Sequence, residues 1–286
     1  AMRRDIRDAE LEYLGAAWSE HCCHKTTNAP IETAAGTKDS IFQRIKDRSI
    51  PYFEKRQVLS AFGDNSGVVR FYDGTAINIK LETHNSPRMV EPRGGAATGT
   101  GGVLRDINET GLGARPINSM HMDFTAAPDI NPSLIPPNTL TPTQLLTGSV
   151  RGVGGYGNPM GIPTNNGSFH THPDYRGKAS ILVGSMGIMQ EKDAQKGSPL
   201  HGDLVVAVGG RTGLDGIHGA TFSSESADST TATVHSGAVQ IGDPIAEKKM
   251  FDAVMEASEK GLIRAMTDCG AAGFASAIGE LGEDIG

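Results

Sequence analysis

Lys80, Glu82 and His84 stand at alternate positions in KLETHN, so an ammonium, a carboxylate and an imidazole recur every second residue. Thr83, Asn85 and Ser86 fill the adjoining places, and GGAATGTGGVLRD, from Gly94 to Asp106, closes on a cation and an acid, Arg105 and Asp106. These residue types can bind an anion, hold a hard cation and move a proton. Ile77, Ile79 and Leu81 alternate with Asn78, Lys80 and Glu82, the period of a strand with one apolar face. If that period continues, Lys80, Glu82 and His84 project to the same side. A purely structural strand rarely gathers three titratable groups on one face, because each needs solvent or a partner. A site for anionic ligands accounts for them, and a solvated sheet face is the alternative.

Other segments add to this set. Asp268 lies between an apolar run and the small-residue stretch Gly270–Gly273, a common address for ligand-binding acids in α/β folds, with room for a phosphate at a helix N-terminus. Glu82, Asp106 and Asp268 each border a glycine-rich segment. Hard oxygen donors beside such segments suit Mg²⁺, which takes one or two carboxylates and shares its remaining shell with substrate phosphates. The alternative is that each acid caps a helix or a turn. His21-Cys22-Cys23-His24 invites a zinc reading, but contiguous ligands converge poorly on a tetrahedral centre and there is no C-x-x-C knuckle. His21 reads better as a polar or catalytic imidazole. Neither a nucleophile elbow nor a Walker loop is present.

The elements that must position these groups are legible in outline. Leu11, Leu14 and Ala17 mark a helix over about Asp5–Ala17, and Gly36–Val58 reads as a mostly polar helical stretch interrupted by Pro51. Val68 to Glu82 predicts two strands joined at Asp73-Gly74. The Gly94–Asp106 segment reads as a loop, INSMHMDF as a short strand, the Pro-rich Ala126–Gly148 as an insertion or long loop, NPMGIPTNNGSF as a turn-rich connector, and KASILVGSMGIM as a buried strand. Composition shifts at His170–Gly177. Beyond it the sequence predicts a strand at Leu204–Val208, a helix over Pro244–Lys260, a strand at Leu262–Met266 and a helix opening at Gly270–Gly273. The expected organisation is an N-terminal helical and linker segment (1–60), an α/β domain (61–175) and a second, truncated α/β domain (176–286). The fold class is mixed α/β (α+β).

Composition narrows the function classes. At 286 residues, with 37% hydrophobic and 21% charged residues, the chain has ample core for one large domain or two ordinary ones. A net charge of −7 argues against a sequence-independent grip on nucleic acid. No apolar run approaches the length of a membrane span, and no signal-peptide pattern precedes the first helix. Three cysteines, two of them adjacent, make no disulfide framework, so a reduced, cytoplasmic protein is expected. The final GELGEDIG follows directly on the last helix, as expected for a piece of a longer protein.

Taken together, WSEHCCHK, KLETHNSPRMVEPRGGAATGTGGVLRD, GNPMGIPTNNG, GRTGLDGIHGATF, AVQIGDPIAEKK and TDCGAAG, in that order, resemble the phosphoribosylformylglycinamidine synthase family, the synthetase component of a purine-pathway amidotransferase. The resemblance spans nearly the whole chain. It implies the two-domain α/β architecture of the aminoimidazole-ribonucleotide-synthetase superfamily and ATP-dependent amidation of formylglycinamide ribonucleotide (FGAR). It also implies that His21 and His84 are the active-site histidines and that His24, where the small forms usually have tyrosine, and Lys80 contact ATP. Glu82, Asp106 and Asp268 would be Mg²⁺ ligands, and Thr83, His84, Asn85, Ser86, Arg105 and Gln240 would hold FGAR. Ammonia would come from a glutaminase domain or subunit, and the ATP site would draw on a second synthetase half; this chain would carry only the first half, and not all of that. Three departures stand out: Ser86 where many members have histidine, Arg88 with the following RGG in place of more usual residues, and a long Pro-rich segment at 126–148. Other readings are a different ATP-using member of the superfamily and a non-catalytic interaction module on the same fold.

Overall fold

The structure is a computed structural model that describes residues 4–53, 55, 57–213, 223, 239–240 and 242–282. It opens with helix α1 (Asp8–Ala17), the short helices α2 (Glu20–Cys23) and α3 (Lys25–Asn28), a small ribbon of β1 (Ile31–Thr33) and β2 (Gly36–Lys38), and helix α4 (Ile41–Ser49). Ser40 starts α4 by accepting a hydrogen bond from the Gln43 amide. The polar helical stretch expected over 36–58 is thus shorter: Gly36–Lys38 forms a strand, and Pro51 lies in a single 3-10 turn after α4. None of the helices among the described residues is long and apolar enough to cross a membrane.

The centre is a six-stranded sheet among the described residues, built from β3 (Val58–Ser60), β4 (Gly67–Arg70), β5 (Thr75–Thr83), β6 (Arg115–Thr125), β7 (Thr164–Thr171) and β8 (Ser180–Gln190), in the order β3-β4-β5-β8-β6-β7. The pairings are antiparallel except β6 with β7. The predicted hairpin closes at Asp73-Gly74, both at positive φ, and pairs Val68 with Asn78. NPMGIPTNNGSF, expected as a connector, contributes β7, because a long parallel partner at β6 satisfies its backbone. The sheet reaches past the composition shift at 170–177 to include β8.

One face of the sheet is covered by α5 (Asn85–Val90), α6 (Pro92–Asn108) and α7 (Pro142–Gly157). The Gly94–Asp106 segment is therefore helix, not loop. Pro92 preorganises its first turn, and the Glu91 carboxylate accepts from the Arg93 and Gly94 amides. Interior glycines disfavour a helix by about 1 kcal/mol each relative to alanine, and here packing offsets that cost. A Cβ on Gly152 of α7 would lie 2.2 Å from the Arg93 carbonyl oxygen of α6, so the two backbones meet only because no side chain intervenes. Beneath this contact Ala96, Val103, Val153, Ile181 and Val183 form a fully buried cluster. The Pro-rich insertion is correspondingly shorter than expected: from Thr141, whose hydroxyl accepts from the Gln144 amide, the chain is α7.

The opposite face is open. Among the described residues Ile79 and Leu81 lie there exposed. Beyond β8, Leu204–Val208 is exposed chain with no ladder, and Leu262–Met266 likewise forms no strand. A strand is defined by a partner, and among the described residues neither segment has one. Helix α8 (Pro244–Glu259) forms where expected, and helix α9 (Phe274–Gly282) starts just after the expected opening at Gly270–Gly273. Asp243 caps α8 through the Ile245 and Ala246 amides. Most of the GRTGLDGIHGATF segment lies outside the described residues.

Candidate functional site

Strand β5 delivers Lys80 and Glu82 to the helix-covered side of the sheet, beside the C-terminal half of α6. Lys80 Nζ lies 3.1 Å from Asp106 Oδ2 and 3.7 Å from Glu82 Oε2. Burial works to lower the Lys80 pKa, but the carboxylates of Asp106 and Glu82 outweigh it and hold the ammonium charged. Asp106 is buried and its acid is pushed up to about 7, first by burial, then by the negative charge of Asp268, against the pull of Lys80. A carboxyl pushed up first by burial and then by neighbouring carboxylates favours added positive charge beside it.

A second ion pair closes the site from the far part of the chain. Arg105 Nε donates to Asp268 Oδ2 at 2.9 Å, across a separation of 163 residues. Around it stand Glu109, pushed up to about 8, and Glu247 of α8, pushed up to about 7, in each case mainly by burial. Tyr156 donates its hydroxyl to Glu247. The chain also crosses α6 at Gln240, whose carbonyl accepts from Thr98 Oγ1 at 2.9 Å. Glu109 and Glu247 were not singled out in the sequence. Glu109 follows Asp106 by three residues and Arg105 by four, the spacing of one helix face, a signal hidden by reading the segment as a loop.

His84 follows β5 and precedes α5, with its amide bonded to the Ile181 carbonyl at 3.0 Å. Its ring is buried, and Nε2 has no hydrogen-bond partner. Burial, then the competing influences of Glu82 and His21, leave its pKa at about 4, so the imidazole is neutral near pH 7. Gly99 of α6 makes room for it, since a Cβ there would sit 3.0 Å from His84 Cβ. His21 on α2 interacts electrostatically with Glu82 and His84, and its imidazole is also lowered, chiefly by the surrounding protein. His24 ends α2 in the left-handed region, at φ 49°, and is exposed.

The three remaining β5–α5 positions differ in character. Thr83 is exposed at the strand end. Asn85 Oδ1 is committed to the fold, accepting from Ser180 Oγ at 2.6 Å and the Ile181 amide at 3.1 Å. Ser86 is buried. The structure therefore brings Lys80, Glu82, Asp106, Arg105 and Asp268 into one charged network, with His21 and His84 on the Glu82 side. Gln240 reaches α6 through its backbone, and its side chain is exposed.

Among the described residues no three His, Cys, Asp or Glu side chains are gathered closely enough to hold a metal by themselves. The acids nevertheless fit Mg²⁺ of the kind shared with phosphate oxygens: they are hard donors, and their mutual repulsion is already visible at Asp106. Cys269 is exposed, and burial and nearby carboxylates raise its thiol, which does not suit a thiolate ligand or nucleophile.

Comparison with known proteins identifies domains along most of the chain. The model for AIR synthase related protein, N-terminal domain, matches residues 63–189, and that for the C-terminal domain matches 201–285. The formylglycinamide ribonucleotide amidotransferase linker domain matches residues 1–25. Phosphoribosylformylglycinamidine synthase subunit PurL of Limosilactobacillus fermentum is 38% identical over 281 residues, covering 96% of this chain and 34% of the relative. That of Thermoplasma acidophilum is 35% identical, covering 97% and 34%. The chain thus spans about a third of the length of these relatives. Among solved structures, Thermotoga maritima PurL complexed with FGAR superposes with a TM-score of 0.68 at 29% identity, covering 98% of this chain and 40% of that one. Its complex with ATP gives 0.65 at 27%, covering 98% and 38%. The T. maritima PurLQS structure gives 0.63 at 26%, covering 97% and 37%. With both AIR synthase related domains matched along its length and the charged network built where they meet, the chain belongs to the AIR synthase related family, in its PurL-type branch.

Proposed function

We propose that this chain is part of the first half of a synthetase that amidates FGAR at the expense of ATP, and that residues on β5, α2 and α6 form the reacting end of its site. The observation that carries the reading is the convergence of Lys80, Glu82, Asp106, Arg105 and Asp268 beside two neutral imidazoles. The T. maritima relatives with FGAR and with ATP support the same pair of substrates.

Phosphoryl transfer demands positioning and charge neutralisation more than covalent help. The FGAR amide oxygen attacks the γ-phosphorus, the bond to the β-γ bridging oxygen breaks and ADP leaves. The amide N–H proton passes to His84 Nε2, giving an iminophosphate. Ammonia then adds to the imidate carbon, and phosphate leaves as nitrogen loses its extra proton. Lys80 and Arg105 draw the anionic groups in, and His24 stands at the outer, ATP side. Thr83, Asn85, Ser86 and Gln240 border the FGAR position. Held by Glu82, Asp106 and Asp268, Mg²⁺ would supply neutralisation of the phosphate charge. His84 is a weak base, but it is uncharged and unsolvated, so it is ready to accept the proton in the transition state. His21 orients the same centre. Ammonia reaches it from a glutaminase domain or subunit, consistent with the multi-component T. maritima PurLQS assembly, and the second synthetase half completes the nucleotide pocket.

FGAR-dependent ADP release by the full-length protein, with ammonia as nitrogen donor, tests the reading. Turnover that requires FGAR and yields the amidine supports it; ATP hydrolysis indifferent to FGAR, or none, contradicts it. The chain of 286 residues alone should show no turnover, because it spans only about a third of the length of its relatives.

A further inference from the structure

The helix-facing column of β6 is polar where a sheet interior is normally apolar. Ser119, His121, Asp123 and Thr125 alternate along it, and Ser119, Asp123 and Thr125 are fully or almost fully buried. Opposite Asp123 in the ladder is Ile181, and opposite His121 is Val183, both in the apolar cluster under α6 and α7. Into this layer projects Arg88 of α5, with no exposed surface, paired through its guanidinium with Asp123. Arg88 Nε also donates to Ser149 Oγ of α7 at 2.7 Å, and His121 Nε2 lies 3.5 Å from Asp123 Oδ2.

Such a pair is a poor way to stabilise a core, because desolvating both ions consumes much of what their attraction returns. This one is also incompletely satisfied: Arg88 Nη1, His121 Nδ1 and Ser119 Oγ are buried without hydrogen-bond partners. What the pair does provide is direction. It ties α5, a helix of only six residues, to β6 and to α7, while Asn85 ties the same helix to β8. Residues 84–86, at the start of that helix, are therefore fixed from three sides.

We propose that Arg88, Asp123 and Ser149 form a buried positioning unit that orients α5 and so sets His84, Asn85 and Ser86 against the substrate. The inference rests on the reading that residues 83–86 border FGAR. Arg88 touches no reacting atom; it acts through the helix that carries the segment.

The test uses the full-length enzyme. Arg88→Met combined with Asp123→Leu replaces the pair by apolar groups of similar size, a change that folded proteins tolerate in stability. The expected result is an unchanged melting temperature, a KM for FGAR raised roughly tenfold, a KM for ATP unaltered, and faster amide hydrogen exchange confined to residues 85–90. Ser149→Ala removes one tether without new volume and should give the same pattern, weaker. A folded double variant with wild-type KM for FGAR and wild-type exchange over 85–90 overturns the proposal. If the double variant does not fold, Ser149→Ala decides: wild-type values in both readouts overturn the proposal, and selective changes support it. If the wild-type enzyme does not turn over FGAR, the functional reading fails, and exchange over 85–90 alone still judges the positioning unit.

Discussion

On β5 and β6 the two faces of the sheet invert the usual arrangement, whereas β8 turns Ile181 and Val183 inward. On the covered face β5 presents Asn78, Lys80 and Glu82, and β6 presents Ser119, His121 and Asp123, under helices α5, α6 and α7. On the open face lie Ile79 and Leu81 of β5 and Met120 and Met122 of β6. A sheet selected only for stability would turn the other way, with isoleucine and leucine inward. Polar groups under the helices require partners, and several obtain them from those helices: Asp106 for Lys80, Arg88 for Asp123, and the Ile107 carbonyl for the Asn78 amide at 2.9 Å; Ser119 Oγ and His121 Nδ1 do not. The covered face is thus where the chemistry is held, and its stability comes from the intervening apolar cluster, not from the charges.

Breaking the covered face should have the larger consequences. His84→Ala in the full-length enzyme should lower kcat by about 10²–10⁴-fold with a smaller change in KM for FGAR; an unchanged kcat would remove His84 from the proton-transfer step. Ile181→Ala, at a fully buried position, should destabilise this chain by about 2–5 kcal/mol in denaturant unfolding. Gly152→Ala should cost about 1–3 kcal/mol, because the new methyl meets the Arg93 carbonyl and the helices must separate. On the open face, Leu81→Ser should change the stability of the same chain by no more than about 0.5 kcal/mol. Equal effects of Ile181→Ala and Leu81→Ser would contradict the assignment of faces.

The acid cluster sharpens the comparison through pH. Glu109 and Glu247 carry pKa values of about 8 and about 7 in the folded chain, against 4.5 when unperturbed. The folded state therefore keeps protons that the unfolded chain has already released. Their contribution to stability is full below pH 4.5 and is lost as pH rises through 7 to 8. Glu247→Gln should gain stability relative to wild type between pH 5 and 8, read as a growing difference in melting temperature; a constant difference would mean that Glu247 ionises normally.

Much of this was legible in the sequence, for identifiable reasons. Strict alternation placed Lys80 and Glu82 on one side of β5, and the structure keeps them within 3.7 Å of each other. Asp73-Gly74 marked the hairpin turn, and the 3.6-residue period marked α8. The Gly94–Asp106 segment was misread because glycine content signals loops locally, whereas here it serves close contact between α6 and α7, a tertiary property that local propensity does not carry. The same misreading hid Glu109, which joins the site only if the segment is helical. Strand assignments at 204–208 and 262–266 were drawn from apolar content, and the missing ingredient was a neighbouring strand. The direction of the sheet's two faces was beyond reach, since alternation gives two sides without saying which one the helices cover.

The account depends on Asp106 and its neighbours receiving Mg²⁺ together with the phosphates of ATP. Calorimetric titration of ATP into the full-length enzyme, wild type and Asp106→Asn, across a range of Mg²⁺ concentrations, tests this most directly. The account predicts that ATP affinity rises with Mg²⁺ in the wild type and that the variant loses most of this dependence. An identical Mg²⁺ dependence in the two proteins would contradict it.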